Sequence, residues 1–235
     1  FVGGPRSGDL VVIDSRTGRA LHVIEHENAG ILALAISPDN HWLAVGLNSH
    51  SNSDKPRIQL HELTAAAIQR GPTLRIHSGA VRALAFSPNS RLMASGSEAN
   101  DVVLWEVDSW RLQSRLLRMT TPFDLAFFND SRGLATAAFT VRGLPALKLD
   151  PDRRGLDAIR VDFPVLMHEH TIIATDFESA RSRPLIGPGK QEIATLAFDP
   201  GGRWLVYGGQ GRPLFIDLKS HSALADPVES PSAQR

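Results

Sequence analysis

Nine histidines and one glycine–lysine segment are the first places to look for chemistry in this chain. His168-Glu169-His170 sets two imidazoles two residues apart, on one face of any strand that carries them. Two ligands fall short of a zinc site, which takes three or four. A solvated strand end accounts for them, and no metal is expected. His22 and His26 lie near another strand end and read the same way. His61 sits inside an apolar strand and is expected to pack as an imidazole with a backbone partner. Gly187-Pro188-Gly189-Lys190 has a lysine for phosphate, but Gln191 follows it and the earlier glycine of a Walker loop is missing. Gly208-Gly209-Gln210-Gly211 opens no helix, so it is no dinucleotide fingerprint. No Gly-x-Ser-x-Gly elbow occurs. Arg111, Arg115 and Arg118 cluster beside Trp110 and suit an acidic partner or RNA, or simply a solvated strand and loop. No catalytic residue, cofactor-binding residue or metal ligand is assigned, no cofactor is expected, and the chain does not read as an enzyme.

The elements that would position such residues follow from composition and periodicity. In 235 residues, 25 Lys and Arg balance 25 Asp and Glu, and 42% of residues are hydrophobic. That supports a sizeable core and makes nucleic acid an unlikely partner, because phosphate binding needs a basic excess. There are no cysteines, which removes disulfides, thiolate metal sites and cysteine nucleophiles. No apolar run approaches membrane-spanning length, so no membrane partner is expected.

Four 17-residue windows align without gaps: 31–47 (ILALAISPDNHWLAVGL), 81–97 (VRALAFSPNSRLMASGS), 122–138 (PFDLAFFNDSRGLATAA) and 193–209 (IATLAFDPGGRWLVYGG). Leu-Ala fills the fourth and fifth columns of each. Every window reads as a strand, a polar turn such as Ser37-Pro38-Asp39-Asn40, and a second strand bounded by small residues, which is a β-hairpin. A third strand ending in an acid follows: Leu10–Asp14, Ile58–Glu62, Val102–Glu106 and Leu214–Asp217. A looser fourth segment leads to the next window. The fold class is therefore all-β, in units of four antiparallel strands.

These units resemble the WD-repeat family of β-propellers. Trp105-Glu106 stands where that family has Trp-Asp, and His77-Ser78-Gly79-Ala80-Val81 is similar to its Gly-His segment, with Ile76 in place of the glycine. The resemblance covers roughly residues 8–225. It implies a propeller of four-stranded blades and a hydrogen-bond network of His77, Ser97 or Ser95, and Trp105. The family's Asp in that network aligns with Ala99, with Asp101 close by, so a member is expected to be missing. Asp14, Glu62 and Asp217 mark the same strand end as Glu106, behind Ile13, His61 and Ile216 instead of Trp.

Spacing gives a partial blade at 1–27 and blades near 28–77, 78–119, 120–162, 163–190 and 191–225. The division at 162 treats Leu149-Asp150 and Thr175-Asp176 as two strand ends; the alternative is one blade with an insertion at about 141–168. About five blades, beginning at a third strand, lead us to expect a fragment of a larger ring. Residues 226–235 are expected to be disordered. The resemblance implies a non-catalytic scaffold for a protein or peptide, cytoplasmic, with partner-facing loops at His50–Lys55, Arg118–Thr121 and Gly187–Lys190; His50, Lys55, Arg118 and Lys190 are the candidate contacts. The alternatives are the sensor part of a bacterial signalling ATPase or kinase, and a propeller enzyme or TolB-like periplasmic propeller.

Overall fold

Each window folds into a hairpin because its apolar columns need two faces and its turn residues need special dihedrals. The computed structural model describes residues 2–3, 9–14, 16–26, 29–49, 57–64, 67–117, 121–142, 146–149, 159–162, 167–178, 181–189, 192–209 and 212–219. Among them every helix or strand assigned is a strand. The first sheet is β1 (Val2–Gly3), β2 (Asp9–Ile13) and β3 (Ala20–Glu25). The second is β4 (Ala29–Ile36), β5 (Trp42–Ser49), β6 (Arg57–Leu63) and β7 (Ile68–Leu74). The third is β8 (Val81–Phe86), β9 (Leu92–Ser97), β10 (Asp101–Glu106) and β11 (Leu112–Leu117). β12 (Thr121–Phe127) and β13 (Gly133–Arg142) open the fourth, β14 (Ala146–Leu149) and β15 (Ile159–Asp162) follow, and β16 (Met167–Asp176) and β17 (Arg181–Gly189) complete it. The fifth is β18 (Thr195–Phe198), β19 (Trp204–Gly208) and β20 (Leu214–Asp217). All pairings are antiparallel and run in chain order within each sheet, which is a blade meander.

The expected division of residues 120–190 into two blades is corrected. β13 pairs with β16 along its whole length, from Gly133↔Asp176 to Arg142↔Met167, and β17 follows β16. β14 and β15 form a separate two-stranded hairpin, so the stretch between β13 and β16 is an insertion in one blade. The reason is chemical. Thr171-Ile172-Ile173-Ala174 supplies the apolar strand that β13 needs, whereas residues 146–162 alternate with charges that suit a hairpin of their own.

The repeat extends to backbone detail. A β-bulge falls at Leu32, Arg82 and Phe123, the second column of three windows. The left-handed residue of each turn is Asn40 (φ 58°), Ser90 (57°), Ser131 (60°) and Gly202 (66°), again one column. These turns are fastened to one another: the Asp39 N–H donates to Ser90 Oγ (3.1 Å), the Asn89 N–H to Ser131 Oγ (3.3 Å), and Asn129 Nδ2 to Pro200 O (2.6 Å).

Four apolar seams hold successive sheets together. Leu10 of β2 meets Leu43, Val45 and Leu47 of β5. Ala44 and Leu60 meet Val81, Leu84 and Met93. Ala94 and Leu104 meet Leu125, Phe127 and Leu134. Ala135 and Ala174 meet Ile193, Leu196 and Leu205. Small residues let the seams close: a Cβ on Gly46 would lie 2.9 Å from Val81 O, and one on Gly96 2.7 Å from Pro122 Cγ.

Candidate functional site

The residues with the richest polar chemistry lie inside the third blade. His77 precedes β8, Ser95 lies on β9, and Asp101 and Trp105 open and near the end of β10. All four are buried. His77 Nδ1 is 2.8 Å from Asp101 Oδ1, and His77 Nε2 is 2.7 Å from Ser95 Oγ. The Trp105 indole Nε1–H donates to Ser95 Oγ at 2.8 Å. Ser97 Oγ donates to Asp101 Oδ1. Burial would raise the Asp101 carboxyl, but hydrogen bonds from His77 and Ser97, with the charges of His77 and Arg115, hold it below the usual carboxylate range.

This corrects the expectation of a missing member. Asp101, paired with Ser97 across β9 and β10, supplies the carboxylate that Ala99 lacks. Ser95 is the hydroxyl that bridges the two rings, and Ser97 supports the carboxylate instead. The network is closed upon itself, so it fixes strands and offers no group to a substrate.

The second blade solves the same position differently. His61 sits where the third blade has Trp105, and Val45 where it has Ser95. His61 Nε2 meets His26 Nε2 at 3.2 Å, with the rings edge to face. Both are buried. So the expected partner of His61, a backbone group, is replaced by a second imidazole. Burial, then the charges of His26 and Arg70, lower the His61 pKa to about 4. Gln59, which the sequence reading passed over, is fully buried two residues away. Its Nε2 donates to Gly71 O (2.9 Å) and Leu60 O (3.0 Å), and its Oε1 accepts from Thr73 Oγ1 (2.8 Å) and Arg70 Nε (3.2 Å). A lone glutamine in the apolar run Ile58-Gln59-Leu60 was the available signal. In the fourth blade the matching hydroxyl, Thr136 Oγ1, is buried without a partner among the described residues.

The strand-ending acids serve surface turns. Asp14 accepts the N–H groups of Arg16 (2.8 Å) and Thr17 (3.1 Å). Glu106 accepts from Ser109 Oγ (3.0 Å), Glu62 lies 3.4 Å from His41 Nε2, and Asp217 pairs with Arg203 at 2.9 Å. The turns after Asp14 and Glu106 match bond for bond: Gly18 N donates to Asp14 O and Trp110 N to Glu106 O, each at 2.8 Å. Gly18 has φ 70°; Trp110 takes the same left-handed place at φ 53°. That is costly for a bulky residue, and its ring packs edge to face on Trp42 of the second blade, 5.1 Å between centroids.

The expected loop contacts His50, Lys55, Arg118 and Lys190 lie outside the described residues, as does the His168 side chain. The tail from 220 onward lies outside them too. Among the described residues no three His, Asp or Glu side chains converge on a metal position, and no helix is long and apolar enough to cross a membrane. A cleft of about 500 Å³ opens on the fourth blade, and Asp130, Arg132, Asp176 and Arg183 are among the residues that line it.

The family model described as "WD domain, G-beta repeat" matches residues 18–55 and 69–106, the stretches leading through the second and third blades. The chain thus carries two WD repeats, at these positions. The target of rapamycin complex subunit LST8-1 of Arabidopsis thaliana is 30% identical over 94 residues, which is 40% of this chain and 28% of that protein. The chromatin assembly factor 1 subunit FAS2 homologue of rice is 27% identical over 139 residues, 52% of this chain and 26% of that one. Protein HIR1 of Yarrowia lipolytica is 21% identical over 230 residues, 90% of this chain and 21% of that one. The WD-repeat chain thus spans 21–28% of the length of these relatives. They are plant and yeast proteins, and the expectation of a bacterial source draws no support from them. A chain in the crystal structure of the mitotic checkpoint complex superposes with a TM-score of 0.61 at 18% identity, over 90% of this chain and 59% of that chain, and shows the same propeller fold.

Proposed function

We propose that this WD-repeat chain is a non-catalytic scaffold that binds protein or peptide partners through the loops joining its strands. The observation that carries the reading is the WD-repeat match over two blades whose polar groups are spent on internal hydrogen bonds. Two relatives are named as subunits of complexes, which favours the same reading. Stiff sheets with loops at both ends hold a surface in place without ordering cost at binding. The loops at His50–Lys55, Arg118–Thr121 and Gly187–Lys190 are the proposed contacts, and a cytoplasmic location is part of the proposal. Zero net charge favours a mixed-charge protein surface over nucleic acid.

The test is affinity capture with the tagged chain, followed by binding measurements on each stoichiometric partner. Reversing Lys55, Arg118 and Lys190 to Glu should weaken binding about tenfold or more while leaving the unfolding midpoint unchanged. A chain that binds no protein and turns over small substrates overturns the proposal.

A further inference from the structure

One buried position changes character in the fourth blade. The residues paired with Leu43, Met93, Leu134 and Leu205 on the following strand are His61, Trp105, Thr175 and Ile216. Trp105 shares a core with Ala44 and Leu60 of the second blade, and Ile216 one with Ala135 and Ala174 of the fourth. Thr175 is the smallest of the set. The outer strand changes with it: Ser182 is paired with Thr175, where Leu112 is paired with Trp105. A ring and a leucine are thus exchanged for two short hydroxyl side chains, which bond to each other at 2.9 Å.

A cleft of about 310 Å³ opens there, between the third and fourth blades. Thr175, Phe177 and Ser182 line it from the fourth blade, and Leu104 with residues 113–116 of β11 from the third. Leu104 holds the place in its sheet that Leu60 holds beside Trp105 one seam earlier. A second observation lies on the same sheet face. Thr136 is 0% exposed, and its Oγ1 has no hydrogen-bond partner among the described residues. Its register to Thr175 is that of Ser95 to Trp105, and Ser95 Oγ accepts the indole N–H at 2.8 Å. The fourth blade keeps the acceptor and lacks the donor. Such a hydroxyl calls for a reason, and a cleft with apolar walls beside it suits an aromatic ring that carries one N–H.

We propose that this cleft takes the indole ring of a tryptophan borne by a partner peptide, with Thr136 Oγ1 accepting the indole N–H. The third blade shows the chemistry with the chain's own Trp105. A peptide is the source because β11 is the last strand of its sheet and four consecutive residues of it line the cleft. Its outer backbone edge can pair with an extended segment whose tryptophan turns inward. The site is separate from the loop contacts proposed above, so either reading can fail while the other stands.

The probe is acetyl-Gly-Trp-Gly-amide, titrated against the chain by saturation-transfer NMR beside its 1-methyltryptophan analogue, which lacks the N–H. The tryptophan peptide should bind saturably, and more tightly than free indole. Thr136→Val keeps the shape of the side chain and should weaken the tryptophan peptide about fivefold while leaving the methylated one unchanged. Thr175→Trp supplies the ring from the chain itself. It should abolish binding and leave the urea midpoint no lower than that of the parent. No saturable binding by the parent chain overturns the proposal, as does unchanged binding by Thr175→Trp. A lowered midpoint in that variant overturns it too, since the cleft then does not fit an indole. So does a Thr136→Val exchange that changes both affinities by the same factor, or free indole binding more tightly than the peptide.

Discussion

The second and third blades share a backbone and differ in how they satisfy their buried polar groups. In the third, one hydroxyl joins two rings: Ser95 lies between His77 and Trp105, and Asp101 anchors the far end. In the second, Val45 removes that hydroxyl and two imidazoles meet without an intermediary. The polar load moves to Gln59, whose place in the third blade is held by Val103, and is met by backbone carbonyls near β7. The difference teaches that the seam demands filled volume and satisfied hydrogen bonds, and is indifferent to which residues provide them.

The sharpest way to break this comparison is to delete each ring. Trp105→Ala should cost about 3–5 kcal/mol, from a large buried ring lost and Ser95 left short of a donor. His61→Ala should cost roughly half as much. Equal losses in urea unfolding would mean that the network adds nothing to packing.

A second difference is in pH. Unfolded His61 takes up a proton below its ordinary value of 6.5, while folded His61 resists until about 4. Stability is therefore complete above that ordinary value and falls as pH drops between the two. From pH 7 to 5 the loss should be on the order of 2 kcal/mol. Asp101 acts in the same direction over a lower range: its depressed carboxyl contributes fully above 3.8 and fades only in stronger acid. His61→Phe should flatten the pH 5–7 slope, and an unchanged slope would assign it elsewhere.

The joint between the two blades offers a smaller effect. Trp110→Ala removes the contact with Trp42 but keeps a Cβ at a positive φ, while Trp110→Gly removes both. The glycine variant should be the more stable of the two by about 1 kcal/mol in thermal unfolding. Identical melting temperatures would show that the left-handed turn carries no strain. Smallest of all, Thr136→Val exchanges an orphaned hydroxyl for a methyl of the same shape and should raise stability by up to about 1 kcal/mol. A drop instead would reveal a partner for that hydroxyl.

Much of this was legible in the sequence because the signals were local. The Leu-Ala columns and the Pro, Asp, Asn and Gly turns specify hairpins by alternation and dihedral preference, and the bulges and left-handed residues fall in the same columns. The network was legible in type but not in membership. Asp101 reaches His77 from the first residue of β10, after a turn closed by Asn100 at φ 63°, so column counting pointed to Ala99 instead. The division of the fourth blade was misread because strand partnership is non-local: β13 and β16 are separated by 24 residues in the chain, and β14 and β15 between them pair with each other. Gln59 was missed because its partners lie on β7, in a segment with no repeat signature.

The turn-to-turn hydrogen bonds at the inner end of each hairpin have a mechanical consequence. Inner strands β4, β8 and β12 pack on one another, and the turns beside them are bonded in series from Asp39 through Ser90 and Ser131 toward Pro200. Such an array is riveted at its hub and loose at its rim. Like the sticks of a fan, neighbouring blades are joined mainly near the pivot, and separation should begin at the outer strands β7, β11 and β17. A wedge driven in from the rim is then accommodated by a small rotation of whole sheets, with no strand pairing broken.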